Sequence, residues 1–144
     1  MATTNIDQQR KFREDADAVA NFSKRYYAIL DTRRHNVDKF YQNQAKLIWN
    51  GTEIDGQNAI ASYLVALPPT RHHIYALDFF PMKDLFPDED TTYQVFVSGA
   101  VAYGSSESIT VAKEKRLFSH TFVLTVDVIS STWVIVNECF RFHE

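Results

Sequence analysis

The stretch "WVIVNECFRF" (Trp133–Phe142) reads as a β-strand that is apolar on both faces, with an arginine set between two phenylalanines. Side chains alternate along a strand. One row is therefore Trp133, Ile135, Asn137, Cys139 and Arg141, and the other is Val134, Val136, Glu138, Phe140 and Phe142. The stretch 91–103, "TTYQVFVSGAVAY", behaves alike: Tyr93, Val95, Val97 and Gly99 oppose Gln94, Phe96, Ser98 and Ala100. In 115–128, "KRLFSHTFVLTVDV", Phe118, Phe122, Leu124 and Val126 oppose Leu117, Val123 and two threonines. Each strand thus carries one apolar row and one semi-polar row with few charges.

An antiparallel sheet with one face in water alternates more cleanly than this. Monomers seldom expose apolar patches beyond a few hundred Å². The semi-polar face is therefore expected to be covered. One covering is a second protein, with an interface on the order of 2,000 Å²; the other is the loop Gly104–Lys115, folded over the sheet. Arg141 needs a carboxylate on such a face, because an unpaired buried charge costs several kcal/mol. A planar bidentate pair with Asp or Glu meets that need. Glu138, Asp78, a carboxylate on another chain and a weak surface pair are the open alternatives.

Working outward, Phe12, Ala16, Val19, Phe22 or Ser23, Tyr26 and Leu30 recur at three- and four-residue steps, which predicts an amphipathic helix over about 7–31. A short second helix is expected over Val37–Tyr41. "AKLIWNGTEI" reads as strand, Asn50-Gly51 turn, strand. Asp55 is placed to cap a third helix from about Gln57, ended by Pro68-Pro69. "HHIYALDFF" (72–80) opens the β-rich half. Helices followed by long antiparallel strands predict a single α+β domain, residues 1–144, with its helices on one side of the sheet.

The composition, 45% hydrophobic and 23% charged, is that of a globular chain. A net charge of −3 argues against a nucleic-acid groove. The clusters "TRRH" (32–35) and "KEKR" (113–116) are read as solvated loop charges. One cysteine, Cys139, leaves no internal disulfide and suits a reducing compartment. No signal-like or membrane-length apolar run stands in the sequence, so a cytosolic or nuclear protein is expected.

The segments "LIWNGTEIDGQNAI" and "NECFRF" resemble the nuclear transport factor 2 superfamily, most specifically at Trp49-Asn50-Gly51, Gly56-Gln57 and Cys139-Phe140-Arg141-Phe142. The chain is most similar to the family's messenger RNA export branch, over nearly its whole length. The resemblance implies a cone of about three N-terminal helices packed into a strongly curved antiparallel sheet, with dimers formed by the sheet's outer face. It implies a heterodimer with the matching domain of a large export receptor. That complex carries messenger RNA through nuclear pores past phenylalanine-glycine repeats. It also implies that Arg141 pairs with an aspartate of the large subunit, with Phe96, Asn137 and Cys139 on the same interface. Residence in nucleus and cytoplasm, at the nuclear pore, follows from the same likeness. No cofactor, metal or membrane is expected, and no direct nucleic-acid binding as the main role.

Other branches are weighed against it. The homodimeric import branch carries a glutamate where Asn50 stands, and acids in the hairpin that here begins Gly104-Ser105-Ser106, with only Glu107 nearby. The charges that would hold the small GTPase Ran are therefore missing. Enzymes of this superfamily use the cone interior as a pocket with an Asp or His base. His120 and Asp78 are the candidates, but an interior rich in Phe and Tyr is expected to be filled, and no catalytic residue is assigned. His72-His73 cannot hold one ion from one side, because neighbours on a strand point to opposite faces. With four glycines in the chain, no phosphate-cradling loop is present.

Overall fold

The computed structural model describes residues 5–84, 91–104 and 115–143. Helix α1 spans Asn5–Thr32, and a 3-10 helix spans Arg34–Phe40. Strands β1 (Tyr41–Trp49) and β2 (Thr52–Asp55) come next, followed by α2 (Gln57–Val65). The chain then runs through β3 (Thr70–Pro81), a 3-10 turn Met82–Asp84, β4 (Tyr93–Tyr103), β5 (Arg116–Val126) and β6 (Trp133–Phe142). The loop 105–114, considered above as a cover for the sheet, lies outside the described residues.

The six strands form one curled, open sheet in the order β2-β1-β6-β5-β4-β3, with the three helices on its inner side. The sheet is mixed. All pairs are antiparallel except β1–β6, which runs parallel and brings the first and last strands together at its centre. The β1–β2 hairpin turns on two residues, Asn50 (φ 48°) and Gly51 (φ 90°). Positive φ at both positions matches the right-handed twist of the strands, and glycine enters that region at no steric cost.

The stripe of α1 buries Val19, Phe22, Ser23, Tyr26, Tyr27 and Leu30. Phe12, by contrast, is 45% exposed and touches the sheet through a stacked contact with Phe79. Helix α2 starts directly behind Gly56 without a side-chain cap, so Asp55 does not play the capping part expected of it. Gly56 instead donates its N–H to the Ala45 carbonyl at 2.7 Å, tying the helix start to β1.

Arg34 is the second departure from expectation. It is not a solvated loop charge. Its guanidinium donates to the carbonyls of Leu30, Leu64 and Leu67 and to Thr70 Oγ1, at 2.7–3.1 Å. It therefore meets carbonyls at the ends of both helices and adds to the Leu67 N–H that the Leu64 carbonyl already accepts. Asp31 completes the joint by accepting from Thr70 Oγ1 and the His72 N–H, both at 2.8 Å.

Register then decides which side chains face in. A bulge at Val136 changes the parity of β6, because Val123 pairs with Asn137 but Leu124 pairs with Ile135. Trp133 and Ile135 join the core, and so do Phe140 and Phe142 beyond the bulge. The row expected from strict alternation is thus split. Only Asn137, Cys139 and Arg141 of it face outward, and all three are exposed. The doubly apolar look of this strand comes from that switch.

Candidate functional site: the outer face of the sheet

On the outer face, the ladder aligns side chains into rows that cross the whole sheet. One row runs Glu53, Ile48, Cys139, Thr121, Phe96 and Asp78. Beside it on one side lie Lys46, Asn137, Val123, Gln94 and Phe80. On the other side lie Arg141, Ser119, Ser98 and Ala76. Phe96 is 42% exposed and stacks on Phe80 with centroids 5.9 Å apart, while Ile48 is 44% and Leu117 52% exposed. A depression of about 240 Å³ lies between Lys46, Ile48, Asn137 and Cys139 on one side and Gln94 and Thr121 on the other.

The four residues singled out in the sequence therefore share this face. Cys139 and Phe96 lie in one row, with Asn137 and Arg141 in the rows to either side. Six strands spaced about 4.8 Å, most of them about ten residues long, make a face of roughly 750 Å² in projection, near one partner's share of a standard protein–protein interface. Among the described residues Arg141 makes no ion pair. Glu138 cannot pair with it, because it lies on the inner side of the sheet. Asp78 lies on β3, at the far edge of the sheet from β2, and does not pair with it either. Arg141 instead borders a hollow with Asn50, Arg116 and Phe142, where the Arg116 guanidinium sits 3.9 Å from the Phe142 ring centroid.

The inner face holds a network that the sequence did not reveal. The Glu138 carboxyl meets the Tyr41 hydroxyl at 2.5 Å, the Tyr26 hydroxyl at 2.7 Å and His120 Nε2 at 2.5 Å. The two tyrosine hydroxyls meet each other at 2.6 Å, and Tyr27 closes on His120 Nδ1 at 2.5 Å. Buried polar groups are tolerated when each has a partner. Burial pushes the hydroxyls of Tyr26, Tyr27 and Tyr41 well above the usual tyrosine range, and Glu138 acts in the same direction. The side chains of His120 and Glu138 are 1% and 0% exposed. Phe118, Phe122 and Phe140 pack around them, with Phe140 stacked on Trp49 at 4.0 Å. This packing closes His120 and Glu138 off from solvent. The signals for the network in the sequence are Glu138, a lone carboxyl in an apolar row, and His120, on the row of Phe118 and Phe122.

Asn50 does more than mark the hairpin. Its Oδ1 accepts from the Phe142 N–H at 2.8 Å, and its own N–H donates to the Phe140 carbonyl at 2.8 Å, so it pins β6 to β1. His72 faces Asp31 on the inner side, while His73 lies edge-on against Tyr75. The two histidines diverge as the alternation requires. No cluster of three metal-ligating side chains occurs among the described residues. No helix among them is long and apolar enough to cross a membrane.

A six-stranded curled sheet filled by helices, with a semi-polar outer face that no other described residue covers, defines the class of protein. The nuclear transport factor 2 (NTF2) domain model matches residues 18–142, and the chain belongs to that family. It is 32% identical over 129 residues to NTF2-related export protein 2 of Mus musculus, a match spanning 88% of this chain and 86% of that protein. Nuclear transport factor 2 of Cryptosporidium parvum has the same fold, with a TM-score of 0.73 at 22% identity, over 90% of this chain and 95% of that one. A chain of the C. albicans Mtr2-Mex67 M domain complex matches with a TM-score of 0.66 at 16% identity, over 90% and 96%.

Proposed function

We propose that this chain is a non-enzymatic adaptor subunit, which binds the matching domain of a large messenger RNA export receptor through the outer face of its sheet. The observation that carries the reading is the outer face itself, where Arg141 is exposed and has no carboxylate partner among the described residues, and where Phe96, Cys139 and Asn137 are exposed too. A relative named as an export protein supports it, as does a fold neighbour that is one chain of the Mtr2-Mex67 M domain complex. In this role the partner supplies a carboxylate to Arg141, the complex meets phenylalanine-glycine nucleoporins, and the pair shuttles between nucleus and cytoplasm. The adaptor uses no cofactor and is not the main RNA-binding surface. The filled interior, with Glu138 and His120 closed to water, supports a subunit without a reaction chamber.

Calorimetric titration of the chain with the NTF2-like domain of a large export receptor tests the reading. One-to-one binding is expected. Arg141→Glu is expected to weaken it by about 2–5 kcal/mol, because the partner's carboxylate is left unpaired in a dry interface. Unchanged affinity in that variant would remove Arg141 from the interface.

A further inference from the structure

On the helical side, away from the sheet's outer face, a groove of about 590 Å³ runs between α1, the 3-10 helix Arg34–Phe40 and the β5–β6 turn. Its volume lies within the range of ligand sites. Phe22 and Phe40, 4% and 5% exposed, form part of its lining together with the half-buried Trp133. Arg25, Arg33 and Lys39 are also among its lining residues, and all three are exposed. None of the three forms an ion pair among the described residues, and no carboxylate lines the groove there. Three uncompensated cations around one apolar cleft stand out in a chain whose net charge is −3.

We propose that this groove binds an acidic peptide segment carrying an aromatic or aliphatic anchor residue. Arg25 and Ile29 lie one turn apart on α1, and Arg33 follows the last residue of that helix with its N–H still bonded to the Ile29 carbonyl at 2.8 Å. Arg25 and Arg33 are about 12 Å apart along the axis at 1.5 Å per residue. That spacing spans three to four residues of an extended peptide, at roughly 3.3 Å each, and is too wide for one small anion. Arg25 is also fixed over the Phe40 ring at 5.7 Å, which holds its charge at the rim. Asn21, Asn36 and Thr132 supply polar side chains for a peptide backbone. Single-stranded nucleic acid fits less well, because base stacking needs open aromatic faces, and Phe22 and Phe40 are almost wholly covered. The groove lies apart from the sheet face, so this inference does not depend on the adaptor reading.

The test is fluorescence polarisation on the full chain with a labelled peptide of alternating aspartate and phenylalanine. Companion probes carry lysine for aspartate or glycine for phenylalanine, and a labelled oligouridine is the fourth. Saturable binding of the first peptide alone is expected, weakened about tenfold by Arg33→Glu with Lys39→Glu, two exposed positions whose reversal swaps attraction for repulsion. A salt titration on the unaltered chain gives the same readout without any substitution, and affinity should fall as salt rises. The proposal is overturned if the acidic peptide does not bind, if its affinity ignores salt or charge reversal, or if the glycine probe or oligouridine binds as tightly.

Discussion

Replacing Glu138 with alanine should nearly unfold this protein, whereas replacing it with glutamine should cost clearly less. The carboxyl serves three partners, Tyr26, Tyr41 and His120. In Glu138→Ala the two hydroxyls retain their mutual bond, so one hydroxyl and His120 Nε2 are stranded with no water to replace the lost acceptor. Each stranded buried group costs about 1–3 kcal/mol, and the emptied volume adds about 1 kcal/mol of lost packing. The sum is about 3–7 kcal/mol, comparable with the whole stability of an ordinary domain, about 5–15 kcal/mol. Glutamine is nearly isosteric. Its carbonyl oxygen can accept from Tyr26 and His120, and its amide can donate to the Tyr41 oxygen, which leaves Tyr41 free to donate to Tyr26. The second amide N–H finds no acceptor among these partners, so the expected loss is about 1–3 kcal/mol, short of that for alanine. Urea unfolding followed by far-ultraviolet circular dichroism, with m-values compared between variants, measures both. A tolerated alanine, or a glutamine as costly as alanine, would refute the reasoning and reopen the interior as a functional chamber.

Three further outcomes follow from other parts of the molecule. Arg34→Ala should cost about 2–4 kcal/mol, because the Leu30 carbonyl at the end of α1 and the Leu67 carbonyl beyond α2 lose their donor together. Arg34→Lys should rescue little of it, since an ammonium cannot fork across them; thermal melts check both. Stability should fall as pH rises past about 10. Burial raises Tyr26, Tyr27 and Tyr41 well above their usual range and pushes Tyr103 up to about 12. The unfolded chain therefore releases these protons first, and the stabilising difference, intact below pH 10, is lost on the way up through the folded values. A tyrosinate absorbance that appears smoothly at pH 10, with no loss of structure, would contradict this. Asn50→Glu should destabilise by about 1–2 kcal/mol, by giving up the bond to the Phe142 N–H and a residue suited to positive φ. It should not create binding to Ran-GDP in a pull-down.

Much of this architecture is readable in the amino-acid pattern, because local signals carry it. The α1 periodicity, the Asn50-Gly51 turn and the Val- and Phe-rich strands depend on neighbours a few residues apart. Phe96 and Cys139 fall into one row because alternation holds between the bulges of β3 and β6. What stayed hidden depends on distant partners. The parallel β1–β6 pair joins strands from the two ends of the sheet sequence, and no short-range signal announces it. The bulge at Val136 is invisible where both rows are apolar, since alternation then has no contrast to break. Arg34 looks like a loop charge until the carbonyls of Leu64 and Leu67 are folded onto it. Glu138 stands three residues from Arg141 in the sequence, and only the sheet register puts it on the opposite side.

The central claim is that the outer sheet face is made for another protein's sheet. The most direct measurement is the solution mass, by light scattering on a sizing column, of this chain alone and after co-expression with the NTF2-like domain of a large export receptor. The account predicts a weakly self-associating chain that becomes a clean one-to-one heterodimer with that partner. A tight homodimer indifferent to it, or a well-behaved monomer that ignores it, would contradict the account.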